Sequence, residues 1–469
     1  MINIENLDID SKIKTAILTL KTYIKDTEFE GNVYVVGGAV RDLLLGENIK
    51  DIDIVVSKKN GGIELANLIA LKDNSFELNK NPVIFENYGT AKFQFKNAKG
   101  CEGVEIECVQ TRKEQYHKDS RNPDTVFGTI KEDASRRDLT INSLYYNITE
   151  DEIYDFNGNG LSDLQKNIIR TPSNPDIVFT DDPLRILRVI RFSTRLGWDI
   201  EKKTWLGMIK NAHRISIISQ ERITDEITKI LLTLTPSIGV EKMLNCGILH
   251  RIMPDVYDLK YSYESLSSCQ TTFNHTMEMI NFVEPIITHR LAALFHDVGK
   301  IVTNKNKSIS DAKFSSEIAA IDLKKMKFSN ETINSVELAI KNIDYFSVFS
   351  EGLIPQDKKI RKFVNICGKN LDLVLDLINA ENNLKGFGRK PTQISCIKQK
   401  IKELGKIEEI QNIKLPINGK DIMKEFNIKG GPIIGVILNV LKEKYLENPN
   451  ITKEECLEIA KIKIEQMVV

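Results

Sequence analysis

Apolar residues recur along this chain with two different periods, and the change from one to the other falls near residue 155. In the first third, short apolar runs alternate with polar residues in the two-residue rhythm of strands: 33–36, 52–56, 90–95 and 104–109, with a further short run at about 76–78. Between them lie helical spacings at 12–29, at 39–45 directly after Gly37-Gly38, and at 61–71. Beyond Asp155 strand patterns almost vanish, and apolar residues recur at i, i+3, i+4 and i+7. This spacing predicts helices at 182–196, 202–211, 219–234 and 236–246. Further helices are predicted at 273–283, 291–296, 315–325, 330–342, 357–367 and 370–383, then at 394–404, 419–426, 435–448 and 453–466. Pro and Gly punctuate them, no linker is low-complexity and no internal repeat is found. The fold class is α+β: a small α/β head with a mixed sheet, followed by an all-α remainder. It is not a Rossmann unit, because the Gly-Gly turn lacks a third glycine and an acidic residue about 20 positions on.

The 469 residues are enough for several domains. Lys+Arg and Asp+Glu both number 65, so overall charge points to no partner and only local clusters can. The seven cysteines are scattered and no CxxC occurs, which argues against a disulfide framework or zinc knuckle and fits a reducing cytoplasm. The start, Met1-Ile2-Asn3-Ile4-Glu5, lacks the basic and apolar regions of a leader, and no apolar run is long enough to span a bilayer. A cytoplasmic protein without membrane contact is the expectation.

Candidate chemistry begins at Gly37-Gly38-Ala39-Val40-Arg41-Asp42, followed by Asp51-Ile52-Asp53-Ile54-Val55-Val56. Strand alternation puts Asp51 and Asp53 on one face, where two carboxylates repel unless a cation lies between them. Hard oxygen ligands suit Mg²⁺, completed by water and substrate phosphates. The glycines let a phosphate approach the backbone closely. Together these parts describe a nucleotidyl-transfer site. Glu105 and Glu107 alternate on the strand at 103–109, and a third carboxylate beside the pair would complete a site for in-line phosphoryl chemistry. Glu107 is preferred, because a basic loop, Thr111-Arg112-Lys113-Glu114, follows it directly.

Arg136-Arg137-Asp138, with Asn142 beyond, serves triphosphate and ribose contacts well. Along 181–195, Arg185, Arg188, Arg191 and Arg195 fall on one helical stripe, with Asp182 within one turn of Arg185. The other faces are apolar, and an arginine on a buried side needs an anionic partner. Carboxylate plus guanidinium also offers acceptors and donors that can mimic a Watson–Crick edge. Further on, His275 precedes Leu294-Phe295-His296-Asp297-Val298-Gly299-Lys300. His-Asp in an apolar helix ahead of a Gly-Lys turn looks like the HD metal-site signature, and two imidazoles with a carboxylate can bind a divalent metal. Ser316 and Asn342 stand where such proteins tend to carry further histidines, and Glu381 where an Asp is expected, so a metal-poor remnant is the reading. Basic residues are dense at Lys358-Lys359, Arg361-Lys362, Lys385, Arg389-Lys390 and Lys398-Gln399-Lys400, which suits backbone-directed binding of an RNA by shape.

In this order, these constellations resemble the bacterial-type (class II) tRNA nucleotidyltransferase and poly(A) polymerase family, over nearly the whole chain. The run 37–46 with Asp51-Ile52-Asp53 resembles the family's first motif, and 136–142 its second. Asp155-Phe156-Asn157-Gly158, with 163–164 and 169–172, resembles the third, a flexible connection between head and neck. Asp182-Pro183-Leu184-Arg185 resembles the fourth, the amino-acid template that reads the incoming base. Glu221-Arg222-Ile223, with Glu226 and Lys229-Ile230-Leu231, resembles the fifth, which steadies the neck; 418–421 with 430–435 resembles the tail.

The resemblance implies a nucleotidyltransferase head at 1–155, a neck with template and RNA-binding helices at 156–250, an HD-like helical body at 251–385 and a tRNA-binding helical tail at 386–469. It implies addition of C, C and A to a tRNA 3′ end from CTP and ATP, without an obligate protein partner. Catalysis falls to Asp51, Asp53 and Glu107, with Mg²⁺ on Asp51 and Asp53. Nucleotide binding falls to Gly37, Gly38, Arg41, Asp42, Arg136, Arg137, Asp138, Asn142, Asp182, Arg185, Arg188 and Arg191. Poly(A) synthesis, or addition of only CC or only A, shares every motif. Tyr88-Gly89-Thr90 and Arg121-Asn122-Pro123 look complete and favour full CCA addition. An HD phosphohydrolase, with His275, His296 and Asp297 as its metal ligands, is the remoter alternative.

Overall fold

Short β-branched runs build one mixed sheet in a computed structural model of the chain. It describes residues 9–49, 51–76, 80–86, 89–117, 120–263, 270–303, 311–346, 355–384, 392–404 and 414–468. The strands are β1 (Val33–Val36), β2 (Ile52–Val56), β3 (Val83–Phe85), β4 (Thr90–Gln94), β5 (Glu105–Gln110), β6 (Arg112–His117), β7 (Ser120–Phe127), β8 (Tyr145–Asn147) and β9 (Glu152–Tyr154). Seven of them form a sheet in the order β3-β4-β5-β2-β1-β8-β9. Only β2 and β5 run parallel within it. Strands β6 and β7 form a separate antiparallel hairpin.

Helix α1 (Ser11–Ile24) is capped by the Asp10 carboxylate, which accepts from the Lys12 and Ile13 amides. Its buried Ile13, Ile17 and Leu20 share a core with Leu65, Ala66 and Ile69 of α3 (Gly61–Lys72), and with Phe93 and Ile106 of the sheet. Helix α2 (Gly38–Leu45) lies between β1 and β2 in sequence. A second cluster gathers Val36, Val55, Ala134 and Tyr145 with Tyr34, Tyr154 and Phe156. Ala134 comes from α4 (Ile130–Ser135), which opens on a capping box between Thr129 and Glu132.

Helices follow: α5 (Gly160–Lys166), α6 (Pro175–Asp181), α7 (Leu184–Leu196), α8 (Lys202–Asn211), α9 (Gln220–Leu231), α10 (Pro236–Asn245) and α11 (Leu249–Ile252). With the sheet they make the first of two units, Met1–Ile252. The second unit, Met253–Val469, is helical among its described residues. It holds α12 (Pro254–Asp258), α13 (Thr272–Phe282), α14 (Ile287–Phe295), α15 (Lys300–Thr303), α16 (Asp311–Lys325), α17 (Asn330–Lys341), α18 (Asp357–Cys367) and α19 (Leu371–Leu384). Beyond these come α20 (Thr392–Glu403), α21 (Gly419–Phe426), α22 (Pro432–Glu447) and α23 (Lys453–Val468), the last three around a small core of Ile422, Ile437, Leu441 and Cys456. Among the described residues no helix is long and apolar enough to cross a membrane.

The α+β architecture and the mixed sheet are as the periodicity predicts; several boundaries are not. The first helix stops at Ile24, because Asp26 and Gly31 take left-handed backbone (φ 58° and 75°) in the turn that brings Phe29 into the core. Part of the expected strand at 76–78 lies outside the described residues; the edge strand found is β3, just after Pro82. The stretch 111–114 is largely strand β6 and not a loop. The helix expected at 182–196 is α7, which begins two residues later, and α6 before it was not expected. Pro183 disfavours helical backbone at the residue before it, and Asp182 is extended (φ −137°, ψ 96°) between α6 and α7.

Candidate active site

Strand register assembles the carboxylates. Asp53 on β2 lies directly beside Glu107 on β5, and Lys92 on β4 is the next residue of that row. Asp51, two residues before Asp53, shares its face. Lys92 Nζ is 3.5 Å from Glu107 Oε2 and 3.3 Å from Glu105 Oε1. The Asp53 carboxyl is held above its ordinary range, first by loss of surrounding water and then by Glu107; Asp51 adds to this, while Arg137 and Lys92 oppose it. Three carboxylates on one face, one of them resisting ionisation, are a donor set that a divalent cation fits.

The glycine turn faces guanidinium groups. Gly37 has φ 73° and ψ −135°, a conformation costly for any residue with a Cβ, and a Cβ there would lie 3.5 Å from Arg137 Nη1. A Cβ on Gly38 would lie 3.4 Å from Arg41 Nη2. Bare backbone therefore meets positive charge on two sides, at a helix start with no side-chain cap.

Each guanidinium is fixed by a partner. Arg41, only 2% exposed, donates from Nη1 to Asn142 Oδ1 at 2.6 Å and from Nε to Asp42 Oδ1 at 2.8 Å. Asn142 Nδ2 donates to Asp138 Oδ1 at 3.1 Å, and Asp138 Oδ2 accepts from Arg188 Nε and Nη2 at 2.8 and 2.6 Å. Burial pushes the Asp138 carboxyl up, but Arg188 and Asn142 outweigh it and hold it at about 2. Arg191 Nε donates to buried Glu226 Oε2 at 2.7 Å, and Arg188 Nη1 is 3.7 Å from Glu226 Oε1. One continuous network thus runs from the glycine helix, through the Arg-Arg-Asp segment, to the arginine stripe of α7 and on to α9.

The stripe itself is as expected: Arg185 is 3.6 Å from Glu114 Oε2, Arg188 and Arg191 pair as above, and Arg195 is 3.0 Å from Glu47 Oε2. Asp182 accepts from the Leu184 amide at 3.1 Å and from Arg222 Nη2 at 3.3 Å. Asp182 and Arg185, the two residues expected to form the template, are therefore each presented by a neighbour, on either side of the Pro183 break.

Arg136 and Arg137 divide. Arg137 Nε donates to Tyr145 Oη at 3.0 Å and Nη2 to Asp133 Oδ2 at 3.2 Å, while Tyr145 Oη donates to Asp133 Oδ2 at 2.6 Å. Arg136 turns its Nε and Nη2 to Asp133 Oδ1, at 3.0 and 2.7 Å, and its Nη1 to Glu114 Oε1 at 2.9 Å. Arg137 lies against Gly37; Arg136 is committed to Asp133 and Glu114. Sequence reasoning missed Asp133 and the role of Glu114. The available signal was spacing, since Asp133 precedes Arg136 and Arg137 by three and four residues on a helix.

His275, His296 and Asp297 converge in the second unit, their ligand atoms within 4.8 Å of one another. The described part of the lysine-rich stretch is interlaced with acids: Lys358 pairs with Glu447, Lys362 is 3.8 Å from Glu443 and Lys400 is 3.5 Å from Asp357. Tyr88, Lys385, Arg389, Lys390 and the side chains of Arg121, Asn122 and Pro123 lie outside the described residues.

Comparison with known proteins follows the same order of parts. Residues 33–170 match the poly A polymerase head domain, residues 197–259 a probable RNA and SrmB-binding site of polymerase A, and residues 310–460 a putative tRNA nucleotidyltransferase domain 2. A CCA-adding enzyme of Ligilactobacillus salivarius is 30% identical over 98% of this chain and 99% of its own length. A mitochondrial CCA tRNA nucleotidyltransferase of Saccharomyces cerevisiae is 27% identical over 90% of this chain and 86% of its own length. That of Candida glabrata is 38% identical over 44% of this chain, a match that spans 40% of the relative. In fold, the chain resembles the Bacillus stearothermophilus CCA-adding enzyme solved with CTP, at a TM-score of 0.67 and 18% identity over 98% of this chain and 99% of that one. The chain belongs to the family of CCA-adding tRNA nucleotidyltransferases.

Proposed function

We infer that this chain adds C, C and A to the 3′ end of tRNA from CTP and ATP, releasing pyrophosphate. The observation that carries this is the unbroken polar network from Gly38 and Arg41 through Asn142, Asp138 and Arg188 to Glu226. It ties the glycine turn, which we assign to phosphate binding, to the helix that bears Arg185 and begins just after Asp182. Asp51, Asp53 and Glu107 would hold Mg²⁺, which supplies charge neutralisation at the reacting phosphate and activation of the attacking 3′-hydroxyl. Backbone at Gly37 and Gly38, with Arg137 and Arg41, receives the triphosphate. Arg188 and Arg191, anchored by Asp138 and Glu226, add positive charge along its path. Asp182 offers acceptors and Arg185 donors to the edge of the incoming base.

We assign the head to 1–155, the neck with its template to 156–250, the body to 251–385 and a tRNA-binding tail to 386–469. The described cysteines are all free, in keeping with the cytoplasmic setting we propose. The purified chain should extend tRNA that lacks its terminal CCA when given Mg²⁺, CTP and ATP, and Asp53→Ala should abolish extension. Normal extension by that variant would remove Asp53 from the metal site. Runs of A would instead identify a poly(A) polymerase.

A further inference from the structure

A guanidinium is held in one plane by two partners and swivels about a single one. Asp133 gives Arg137 only one. Its Oδ1 is taken up by Arg136 Nε and Nη2, at 3.0 and 2.7 Å, and by the Arg112 amide at 3.1 Å. Its Oδ2 accepts from Arg137 Nη2 at 3.2 Å. The second point is Tyr145. Its Oη accepts from Arg137 Nε at 3.0 Å, so its own hydrogen goes to Asp133 Oδ2, 2.6 Å away. Phenol, carboxylate and guanidinium therefore close a triangle. Arg137 Nη1 stays outside it and makes no hydrogen bond among the described residues. This is the nitrogen 3.5 Å from where a Cβ on Gly37 would lie.

Backbone and packing both fix Tyr145. It opens β8, and the ladder with β1 sets it opposite Val36, the residue before Gly37. Its ring is fully buried and packs edge-on against Tyr34 and Phe156, with centroids 6.1 and 5.4 Å away. The Arg137 guanidinium carbon lies 5.1 Å from the centre of the same ring. Burial pushes the phenol well above its ordinary range; Arg137 opposes this and Asp133 adds to it, so Oη keeps its hydrogen. Burial also raises the Asp133 carboxyl, but Arg137 and Arg136 outweigh it and hold the group charged. On its other side Arg137 draws the Asp53 carboxyl down, against burial and Glu107. The guanidinium thus acts on both the glycine turn and the carboxylate row.

We propose that Tyr145 is a positioning residue for the nucleotide triphosphate: its hydroxyl, set between Arg137 Nε and Asp133 Oδ2, fixes the guanidinium plane so that Nη1 stays beside Gly37 to meet a phosphate oxygen. Its role rests on that of Arg137 as a triphosphate ligand. A phenylalanine at this position keeps the ring and its aromatic partners but removes the second point, and the guanidinium can then swing about Asp133. The contribution is blind to the base, because neither Tyr145 nor Arg137 bonds to Asp182 or Arg185 among the described residues. It is common to CTP, to ATP and to the pyrophosphate that leaves.

Equilibrium titration of the full-length chain with CTP, ATP and pyrophosphate, each with Mg²⁺, provides the test. Tyr145→Phe should weaken all three by the same factor, about 5- to 10-fold, as loss of one hydrogen bond to a charged group would. In extension assays it should raise KM for CTP and ATP in step and leave kcat within about twofold. Tyr34→Leu loosens the same aromatic cluster without touching the hydroxyl; it should lower Tm and leave pyrophosphate affinity unchanged. Arg137→Lys, which loses the planar fork, should weaken pyrophosphate at least as much as Tyr145→Phe, and adding Tyr145→Phe to it should cost nothing further. Unchanged pyrophosphate affinity in Tyr145→Phe or in Arg137→Lys, a loss confined to one nucleotide, or a full additional loss in the double variant would overturn the proposal. These titrations need no tRNA, so the identity of the nucleotides added to tRNA decides CCA addition separately.

Discussion

Arg185, to which we assign base reading, has its guanidinium 3.6 Å from Glu114 Oε2 in the first turn of α7. Arg185→Ala should therefore lose discrimination between CTP or ATP and UTP or GTP, by roughly 10- to 100-fold, more than it loses turnover with the right nucleotide. Competition assays with the four nucleotides measure this, and unchanged selectivity would remove Arg185 from the template. Asp138 makes a prediction about acid stability. Its carboxyl sits at about 2 in the folded chain against an ordinary 3.8, because Arg188 and Asn142 bind the charged form. A depressed carboxyl stabilises the fold fully above its unfolded value. That contribution, about 2 kcal/mol, fades as pH falls from about 4 through about 2. Acid unfolding of Asp138→Asn should lack this slope. At this scale the sequence was eloquent wherever chemistry is local: Asp51 and Asp53, Gly37 and Gly38, and the stripe of α7 stand at readable spacings. Asp133 was silent because its importance comes from Arg137 and Tyr145 meeting it on one side and Arg136 on the other. Only the fold supplies that meeting.

Elements position these residues by close contact. A Cβ on Gly62, in the first turn of α3, would lie 2.8 Å from the Cys108 carbonyl oxygen and from Val109 Cα of β5, the strand that carries Glu107. Backbone cannot give way as a side chain end can. Gly62→Ala should therefore lower Tm by a few degrees, at a cost of about 1–3 kcal/mol, despite the better helix propensity of alanine. A calorimetric scan would show it, and an unchanged or higher Tm would mean that α3 can lift from β5. The longer helices were legible from apolar period, and α18 and α21 fall on the predicted spans, whereas the short α4, α5, α6, α11, α12 and α15 were not predicted. The helix predicted from Asp182 begins as α7 at Leu184, because Pro183 disfavours helical backbone at the residue before it.

For the whole molecule, the order of parts was the legible feature. A head with paired carboxylates, an Arg-Arg-Asp segment and an arginine-striped helix follow one another along the chain, and family membership rests on similarity over nearly its full length. The His-Asp cluster was readable as His275, His296 and Asp297 with Glu381 in place of an expected Asp, and packing sets Glu381 Oε2 of α19 2.9 Å from His275 Nε2. The strongest claim remains that one chain reads two different bases with a protein template and then stops. End-sequencing of tRNA lacking CCA, after incubation with the purified chain, Mg²⁺ and all four nucleotides, tests it most directly. Products ending in C, then CC, then CCA and no longer are expected; oligo(A) tails, arrest at CC, or indiscriminate incorporation would contradict it.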